Sequence, residues 1–341
     1  MNILLTSAGR RTYMVEYFKE AVKPYGGEVH AMNSSLDAPA LWLADHAVQA
    51  PLIYDPHYES FLLSYCLEHK IHLVISLFDI ELPVLSRLKA KFKEQGITIV
   101  VGDEWLTAMA NDKWSTQAFL KQNGFHTVPA FISLTEAEEA INNGSVAFPL
   151  FVKPRWGMGS IAVYKAENTE ELRVFYHKTK RDIAKSYLKY ESGQQPEEAV
   201  LIQSALPGEE YGLDIINDLN GNHCITVVKK KLGMRAGETD GAETMDIPAL
   251  HALGKQLAAL TKHPGNMDVD VFFNGHEAYI LELNPRFGGG YPFSHQAGVN
   301  VPRAIVEWAK GHEVNIAELL QPVIGTRAMK GISMITQPKN R

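Results

Sequence analysis

The sequence predicts an α/β protein in which a Rossmann-like domain with a parallel sheet precedes two mixed α+β lobes. Over the first hundred residues, short β-branched runs alternate with stretches whose apolar residues have helical spacing. From Asp103 onward, helices come first and hairpin-like pairs of strands follow. The chain has 341 residues, more than one core usually holds, so two or three lobes are expected.

The Rossmann-like domain is expected over residues 1–103. Its strands are predicted in "NILLTSAG", "EVHAMNS", "IHLVISL" and "ITIVVG", with helical patterns between them. Sites in such sheets lie at the carboxyl ends of the strands, so residues 7–11 and 78–79 are expected at the edge of a cleft. Residues 7–11 lack the G-x-G-x-x-G pattern, which argues against a nicotinamide-dependent oxidoreductase.

Charge and hydropathy exclude some classes of partner. The chain has 33 Lys and Arg against 39 Asp and Glu, a net charge of -6, so its surface repels the phosphates of nucleic acids. No uninterrupted apolar run approaches the length of a transmembrane helix. The first residues lack the pattern of a signal peptide, so a cytoplasmic protein is expected.

A hairpin with a glycine-bearing tip is predicted in "FPLFVKPRWGMGSIAVYKA". Lys153 lies at the end of its first strand, where the following proline restricts the backbone. In the loop from Arg155 to Ser160, Gly157 and Gly159 allow backbone N–H groups to approach phosphate oxygens. Taken alone, the same pattern fits a hairpin tip whose glycines serve only turn geometry.

A second hairpin concentrates metal-ligand types on one face. The turn Asn274-Gly275 joins two predicted antiparallel strands, of which one carries Asp270 and the other Glu282 and Asn284. Glu282 and Asn284 are two residues apart and share a face. Two carboxylates and an amide oxygen are costly to bury together unless a hard cation lies between them, so a Mg²⁺ site is predicted.

Together with "NDKWSTQAFLKQNG" and "LIQSALPGEEYGLDI", these hairpins resemble the ATP-grasp superfamily, in particular the branch of the carbamoyl-phosphate synthetase large subunit. The resemblance covers residues 103–311 closely and the amino-terminal part more loosely. It implies an ATP-grasp fold of two α+β lobes that grip ATP with Mg²⁺, preceded by a Rossmann-like pre-ATP-grasp domain. The small lobe with the phosphate-binding lid is expected over 104–200, the larger lobe over 201–312 and a carboxyl-terminal extension over 313–341.

The resemblance also implies roles for particular residues. Gln203 lies on a strand whose backbone edge reads adenine, Leu206 packs against the base, and Glu210 accepts the ribose hydroxyls. The implied nucleotide contacts are Lys113, Lys153, Arg155, Gly157, Gly159, Ser160, Gln203, Leu206 and Glu210, and the implied Mg²⁺ ligands are Asp270, Glu282 and Asn284. Arg235 and Arg286 are the implied catalytic residues, which stabilise charge on the transferred phosphoryl group.

Asp214 and Lys231 are expected to point into the larger lobe, as a structural ion pair or as substrate contacts.

The expected reaction is ATP-dependent ligation of a small carboxylate to an amine through an acyl phosphate. A full carbamoyl-phosphate synthetase carries two such modules, whereas this sequence has one and no internal repeat. A kinase that stops at phosphorylation of a carbamate or carboxylate is one alternative, and a catalytically silent nucleotide-binding regulatory protein is another. The expected partners are therefore small molecules, and related enzymes commonly form homodimers.

Overall fold

The computed structural model describes residues 1–159 and 161–338. Residues 2–99 form a parallel sheet, as the sequence predicted, and its five strands have the order β3-β2-β1-β4-β5. Its inner strands are mainly buried aliphatic residues, because helices cover both faces. The elements are β1 (Asn2–Thr6), α1 (Thr12–Val22), β2 (Val29–Asn33), α2 (Pro39–Leu43), β3 (His46–Gln49), α3 (Tyr58–Glu68), β4 (Ile71–Ser76), α4 (Leu82–Glu94) and β5 (Thr98–Ile99), with short 3-10 helices at Lys23–Tyr25 and Asp79–Glu81.

The small lobe contains a four-stranded antiparallel sheet in the order β6-β9-β7-β8. Its elements are β6 (Ala130–Phe131), α7 (Leu134–Asn142), β7 (Leu150–Pro154), β8 (Tyr164–Ala166), α8 (Thr169–Lys185), α9 (Leu188–Ser192), a 3-10 helix (Pro196–Glu198) and β9 (Val200–Ser204). The two helices before it, α5 (Glu104–Asn111) and α6 (Lys113–Gln122), were expected in the small lobe but pack against the core of the large lobe. All five residues of β9 pair with β7. The strand expected to open the larger lobe therefore completes the sheet of the small lobe instead.

The large lobe is built on a six-stranded sheet in the order β14-β13-β10-β11-β12-β15. Its elements are β10 (Glu209–Asn217), β11 (His223–Arg235), β12 (Glu238–Met245), α10 (Pro248–Thr261), β13 (Gly265–Phe273), β14 (Ala278–Asn284), α11 (Tyr291–Gln296), α12 (Val301–Ala309), α13 (Ile316–Leu319) and β15 (Arg327–Met329). The predicted turn joins β13 to β14, which pair antiparallel. Residues 327–329 pair with β12, so the carboxyl-terminal extension is partly integrated into this sheet.

The Rossmann-like domain and the large lobe share one hydrophobic core. Buried residues of β1, β2 and α1 pack in the same cluster as Ile216 and Val227 of the large-lobe sheet and the buried face of α12. The rings of Phe18 and Phe287 pack edge to face, with their centroids 6.0 Å apart. The small lobe has a largely separate core around β7, α8 and β9. A cleft therefore opens between the small lobe and the rest of the molecule.

In the described part of the chain, no helix combines the length and the apolar character that crossing a membrane requires.

Candidate active site

The cleft between the two lobes contains a cavity of about 560 Å³. One wall comes from β7, β9 and the loop after β7, and the other from β10, β13 and β14. Apolar side chains, among them Phe151 and Leu281, cover part of both walls and suit a flat ring. The structure brings to this cavity the following residues singled out in the sequence: Lys113, Lys153, Gly157, Gly159, Gln203, Leu206, Glu210, Asp270 and Glu282.

Two buried ammonium groups lie on the small-lobe wall. Lys153 is near the end of β7, and its Nζ donates to Oε1 of Gln203 at 2.6 Å. Lys113 is the first residue of α6, and its Nζ donates to the carbonyl oxygen of Gly157. Burial, with a further contribution from Lys113, lowers the pKa of Lys153 to about 7. Burial also lowers the pKa of Lys113. Both cations thus have neutral hydrogen-bond acceptors and can accept an anion.

The opposite wall carries carboxylates. Asp270 of β13 and Glu282 of β14 are register partners, and Asn284 pairs with Asp268 in the same ladder. The Nδ2 of Asn284 donates to Oε1 of Glu282 at 3.3 Å, which leaves the amide oxygen of Asn284 available. Burial raises the pKa of Asp270, and the neighbouring carboxylates of Asp268 and Glu282 raise it further. This set of oxygen atoms can hold a hard divalent cation such as Mg²⁺.

Lys231 connects two residues to which the sequence assigned different roles. Its Nζ lies 2.6 Å from Oε1 of Glu210 and 2.7 Å from Oδ1 of Asp270. Burial opposes the charge of Lys231, but Asp270 and Glu210 raise the pKa of this ammonium above its usual value. An ion pair between Lys231 and Asp214, one of the two roles left open by the sequence, is not formed, because Asp214 binds the buried ammonium of Lys229. Lys229 and Lys231 are two residues apart on β11, and period-two counting alone could not assign their partners.

Arg155 is not at the cavity, contrary to the role implied for it. Its Nε and Nη2 donate to the two carboxylate oxygens of Asp112 at 2.8 and 2.7 Å, and its Nη1 donates to Glu198 at 2.7 Å. Its guanidinium also lies over the ring of Trp156. All three guanidinium nitrogens are therefore engaged by carboxylates, and Arg155 joins the start of α6 to the chain before β9.

The two residues expected to be catalytic also lie outside the cavity lining. Arg235 is half exposed, and its Nη2 donates to Asp240 at 2.6 Å. Arg286 is buried, with Nε and Nη2 at 2.7 and 2.6 Å from Oδ2 of Asp79 and Nη1 at 3.3 Å from Asp268. Of the remaining predicted residues, Asn284 is buried beside Glu282, and Ser160 lies outside the described residues.

Arg286 joins the large lobe to the edge of the parallel sheet. Its partner Asp79 follows β4, at the carboxyl end where the sequence placed a cleft edge. Oδ1 of Asp79 is buried and has no hydrogen-bond partner among the described residues. Burial raises the pKa of this carboxyl group. An unpartnered buried oxygen at a lobe junction is a potential contact for a bound molecule.

A cluster of polar side chains, Arg11, Tyr13 and Glu238, adjoins this junction, and of these only Arg11 lies in a segment that the sequence had placed at a cleft edge. Arg11 donates from Nη1 to the carbonyl oxygen of Phe287 at 2.6 Å, and Glu238 pairs with Lys330 at 3.3 Å. The hydroxyl of Tyr13 is buried without a partner among the described residues, and burial raises its pKa to about 12. A Cβ on Gly288 would lie 2.1 Å from the carboxylate carbon of Asp268, so only glycine fits there. The run "RFGGG" was the available signal, but its partners come from distant segments.

Two family models match parts of the chain. Residues 3–100 match the PylC-like N-terminal domain. Residues 196–331 match the family described as ATP-grasp in the biosynthetic pathway with Ter operon. The matched segments contain the parallel sheet and most of the large lobe.

Solved structures share the whole arrangement. The L-amino acid ligase from Bacillus licheniformis is 16% identical, with a TM-score of 0.68 over 94% of this chain and 77% of that one. The N5-carboxyaminoimidazole synthetase from Staphylococcus aureus is 16% identical, with a TM-score of 0.67 over 94% and 79%. The biotin carboxylase domain of the Hydrogenobacter thermophilus 2-oxoglutarate carboxylase, solved with MgADP and bicarbonate, is 17% identical, with a TM-score of 0.71 over 92% and 70%.

The solved structures and the matched models define the fold class of this protein: it has the ATP-grasp fold, preceded by the Rossmann-like domain that the sequence predicted. More narrowly, residues 196–331 match an ATP-grasp family model, and two of the structural neighbours were solved with MgADP or ADP.

Proposed function

We propose that this enzyme joins a small carboxylate to an amine through an acyl-phosphate intermediate, with release of ADP and orthophosphate. The observation that carries the proposal is the opposition of charges across the cleft. Lys113 and Lys153 line one wall, while Asp270 and Glu282 line the other. A triphosphate with a divalent cation matches both walls, because its phosphates suit the lysines and its cation suits the carboxylates.

The residues of the cleft fit ATP and Mg²⁺ on further grounds. Nε2 of Gln203 is buried in the cavity lining and has no partner among the described residues, so it is free to donate to a ligand. Leu206 and Phe272 offer apolar surface to the base, and Glu210 offers a carboxylate to the ribose. Asp270, Glu282 and Asn284 are the residues that would hold the cation. When bound, ATP with Mg²⁺ supplies the transferable phosphoryl group and compensates its negative charge.

The chain's own residues then position the reactants. A carboxylate oxygen of the acid forms a bond to the terminal phosphorus as the bond to the ADP oxygen breaks. Lys113 and Lys153 stabilise the charge on the phosphate oxygens. The amine next bonds to the carbonyl carbon and loses a proton. Orthophosphate leaves, and it carries the carboxylate oxygen that had bonded to phosphorus. Closure of the small lobe excludes the water that would hydrolyse the activated acid.

The cluster of Arg11, Tyr13 and Glu238, in which the Tyr13 hydroxyl has no partner among the described residues, supports a polar, charged substrate. Arg286 is fixed by Asp79 and Asp268 at the junction between this cluster and the large lobe. A guanidinium held by two carboxylates cannot move freely. It is therefore suited to orient an anionic substrate or intermediate from a fixed position.

The experiment that tests this function is ADP release in the presence of arrays of small acids and amines, with mass spectrometry of the products. We expect slow ADP formation with the correct acid alone and faster turnover with acid and amine together. Hydroxylamine should trap the activated acid as a hydroxamate. Oxygen-18 in the acid's carboxylate should appear in the released orthophosphate, because that oxygen leaves with phosphorus.

Three outcomes would contradict the proposal in different ways. AMP and pyrophosphate as products would mean adenylation of the acid. Full turnover without an amine, with a stable phosphorylated product, would mean a carboxylate or carbamate kinase. Binding of ATP without turnover in any combination of acid and amine would mean a nucleotide-binding regulatory protein.

A further inference from the structure

Three residues with metal-binding side chains meet at the amino-terminal edge of the parallel sheet. His30 and His46 are register partners on the parallel strands β2 and β3, so their side chains lie on the same face. Glu28 lies just before β2, and its Oε2 is 3.2 Å from Nε2 of His46. One ligand atom from each of these residues lies within 4.8 Å of the other two. The active-site cleft lies at the other, carboxyl-terminal side of the sheet.

His30 has a nitrogen without a partner in this cluster. Its side chain is only 1% exposed, and its Nδ1 lies 2.8 Å from the hydroxyl of Tyr65 on α3. Its Nε2 is buried and has no hydrogen-bond partner among the described residues. When the Tyr65 hydroxyl accepts the Nδ1 proton, Nε2 has a free lone pair. The contact between Nδ1 and the Tyr65 hydroxyl would fix the tautomer and the orientation of the ring. Metal-binding histidines commonly have such a hydrogen bond from their other nitrogen.

The ring of His30 is buried, which disfavours a charge on it. A neutral imidazole is the form that binds metal ions. An unpaired nitrogen buried in an otherwise packed sheet edge costs free energy, which a bound cation would recover.

We propose that Glu28, His30 and His46 form a site for a divalent transition metal of the zinc type, distinct from the Mg²⁺ site in the cleft. Two imidazole nitrogens and one carboxylate are a donor set that favours zinc over magnesium, which prefers oxygen atoms alone. The fourth ligand is water or His69, whose ring centroid lies 5.3 Å from that of His30. Such an ion links β2 to β3 and so stabilises the edge of the sheet.

Modest side-chain movements suffice to form the site. Zinc bonds of about 2.0–2.1 Å in a tetrahedron separate ligand atoms by about 3.3 Å. The pair formed by Glu28 and His46 already has this spacing. The side chains of these two residues are 53% and 45% exposed, so both can rotate toward the fixed Nε2 of His30.

The test is zinc and cobalt binding to the full chain, stripped with a chelator and then kept in a large excess of Mg²⁺ to fill the cleft. Calorimetry should give one zinc ion per chain, and cobalt should give the visible absorption of a site with nitrogen ligands. His46→Asn and Glu28→Gln should each weaken zinc binding by at least the roughly 10- to 100-fold that loss of an outer-shell partner costs.

A matched control is His57→Asn, because His57 also forms a surface pair with a carboxylate, Asp55. Its zinc affinity and cobalt spectrum should equal those of the unchanged protein. Zinc should also raise the melting temperature of the unchanged protein but not that of His46→Asn. The proposal is overturned if zinc does not bind under excess Mg²⁺, or if His46→Asn and Glu28→Gln bind it as well as the control does. ATP turnover is a separate readout and should be unaffected by His46→Asn.

Discussion

The two walls of the cleft treat their buried charges in opposite ways. On the small-lobe wall, Lys153 and Lys113 donate to neutral oxygen atoms, and burial lowers the pKa of both. On the large-lobe wall, Lys231 binds two carboxylates, which raise its pKa despite burial. Lysines of similar burial thus differ because of their partners. The first wall is suited to an anion that the chain does not supply, whereas the lysine of the second wall already has its counterions.

This difference indicates where a ligand contributes most. A cation in a low-dielectric site without a counterion is costly, and a phosphate removes that cost on binding. The large-lobe wall retains an excess of carboxylates around Asp270, since Asp268 and Glu282 also repel it. A divalent cation removes that second cost. Each wall therefore specifies a different part of the same ligand.

The largest effect is expected from Glu282→Gln, which removes one charge from the carboxylate wall while preserving the shape of the side chain. We expect ADP formation to fall by about 10³-fold, since metal-assisted stabilisation of transferred charge is worth several kcal/mol. The melting temperature without ligands should hold or rise, because repulsion with Asp270 is relieved. Glu277→Gln, near the turn of the same hairpin, is the control and should retain activity. A fully active Glu282→Gln enzyme with ordinary Mg²⁺ dependence would rule out this metal site.

A smaller loss is expected from Lys153→Met, which removes the cation of the opposite wall but keeps an unbranched side chain. Turnover should fall by about 10²- to 10³-fold, as it does when one donor to a developing charge is removed. Stability should not fall, because a buried ammonium with only a neutral acceptor is replaced by an apolar group. The control is Lys180→Met, whose ammonium pairs with Glu197 on the lobe surface. Equal ATP affinity in both variants would contradict the assignment of Lys153.

Arg155→Met separates folding from nucleotide binding. Arg155 and Asp112 form a bidentate pair whose side chains are 8% and 10% exposed. Breaking a buried pair leaves Asp112 without its partner and costs about 3–5 kcal/mol. We expect a clear drop in melting temperature, while the KM for ATP changes less than the KM of Lys153→Met does. A variant of normal stability that has lost ATP affinity would restore the phosphate-binding role that the sequence implied.

The smallest expected effect is uptake of a fraction of a proton when MgATP binds. With a pKa of about 7, Lys153 is largely neutral at pH 8, and phosphate oxygens raise that pKa. At pH 8 the protein should therefore take up a fraction of a proton when MgATP binds. At pH 6 the lysine is already charged, so the uptake should be small. Calorimetry in two buffers with different ionisation enthalpies measures the number of protons. Lys153→Met should lose the difference between the two pH values, and release of protons at pH 8 would contradict this account.

Local patterns predicted the elements that depend on neighbours in sequence. The turn at residues 274–275 gave the β13–β14 hairpin, and this pairing sets Asp270 opposite Glu282 as expected. The alternation of strands and helices gave the parallel sheet, although β3 was not predicted, since only one of its four residues is even partly buried. An exposed edge strand has little of the apolar pattern on which such predictions rest.

Contacts between distant segments could not be predicted in the same way. The partners of Arg155 and Arg286 come from other elements, and nothing near either arginine in sequence indicates Asp112 or Asp79. Both arginines follow strands that do reach the cleft, which is why the motif implied a ligand for each. The His30 and His46 pair likewise depends on a parallel register set by the packing of the whole domain.

The shared core has a consequence for how the chain can be divided. The two matched segments, residues 3–100 and 196–331, correspond to separate family models and so resemble independent domains. Physically, however, α1 and α12 bury one another's apolar faces, and Arg303 donates to the carbonyl oxygen of Ala21. A fragment ending at residue 103 would expose that face to water and is expected to aggregate. The part of this molecule that can be separated from the rest is therefore the small lobe, although it lies in the middle of the sequence.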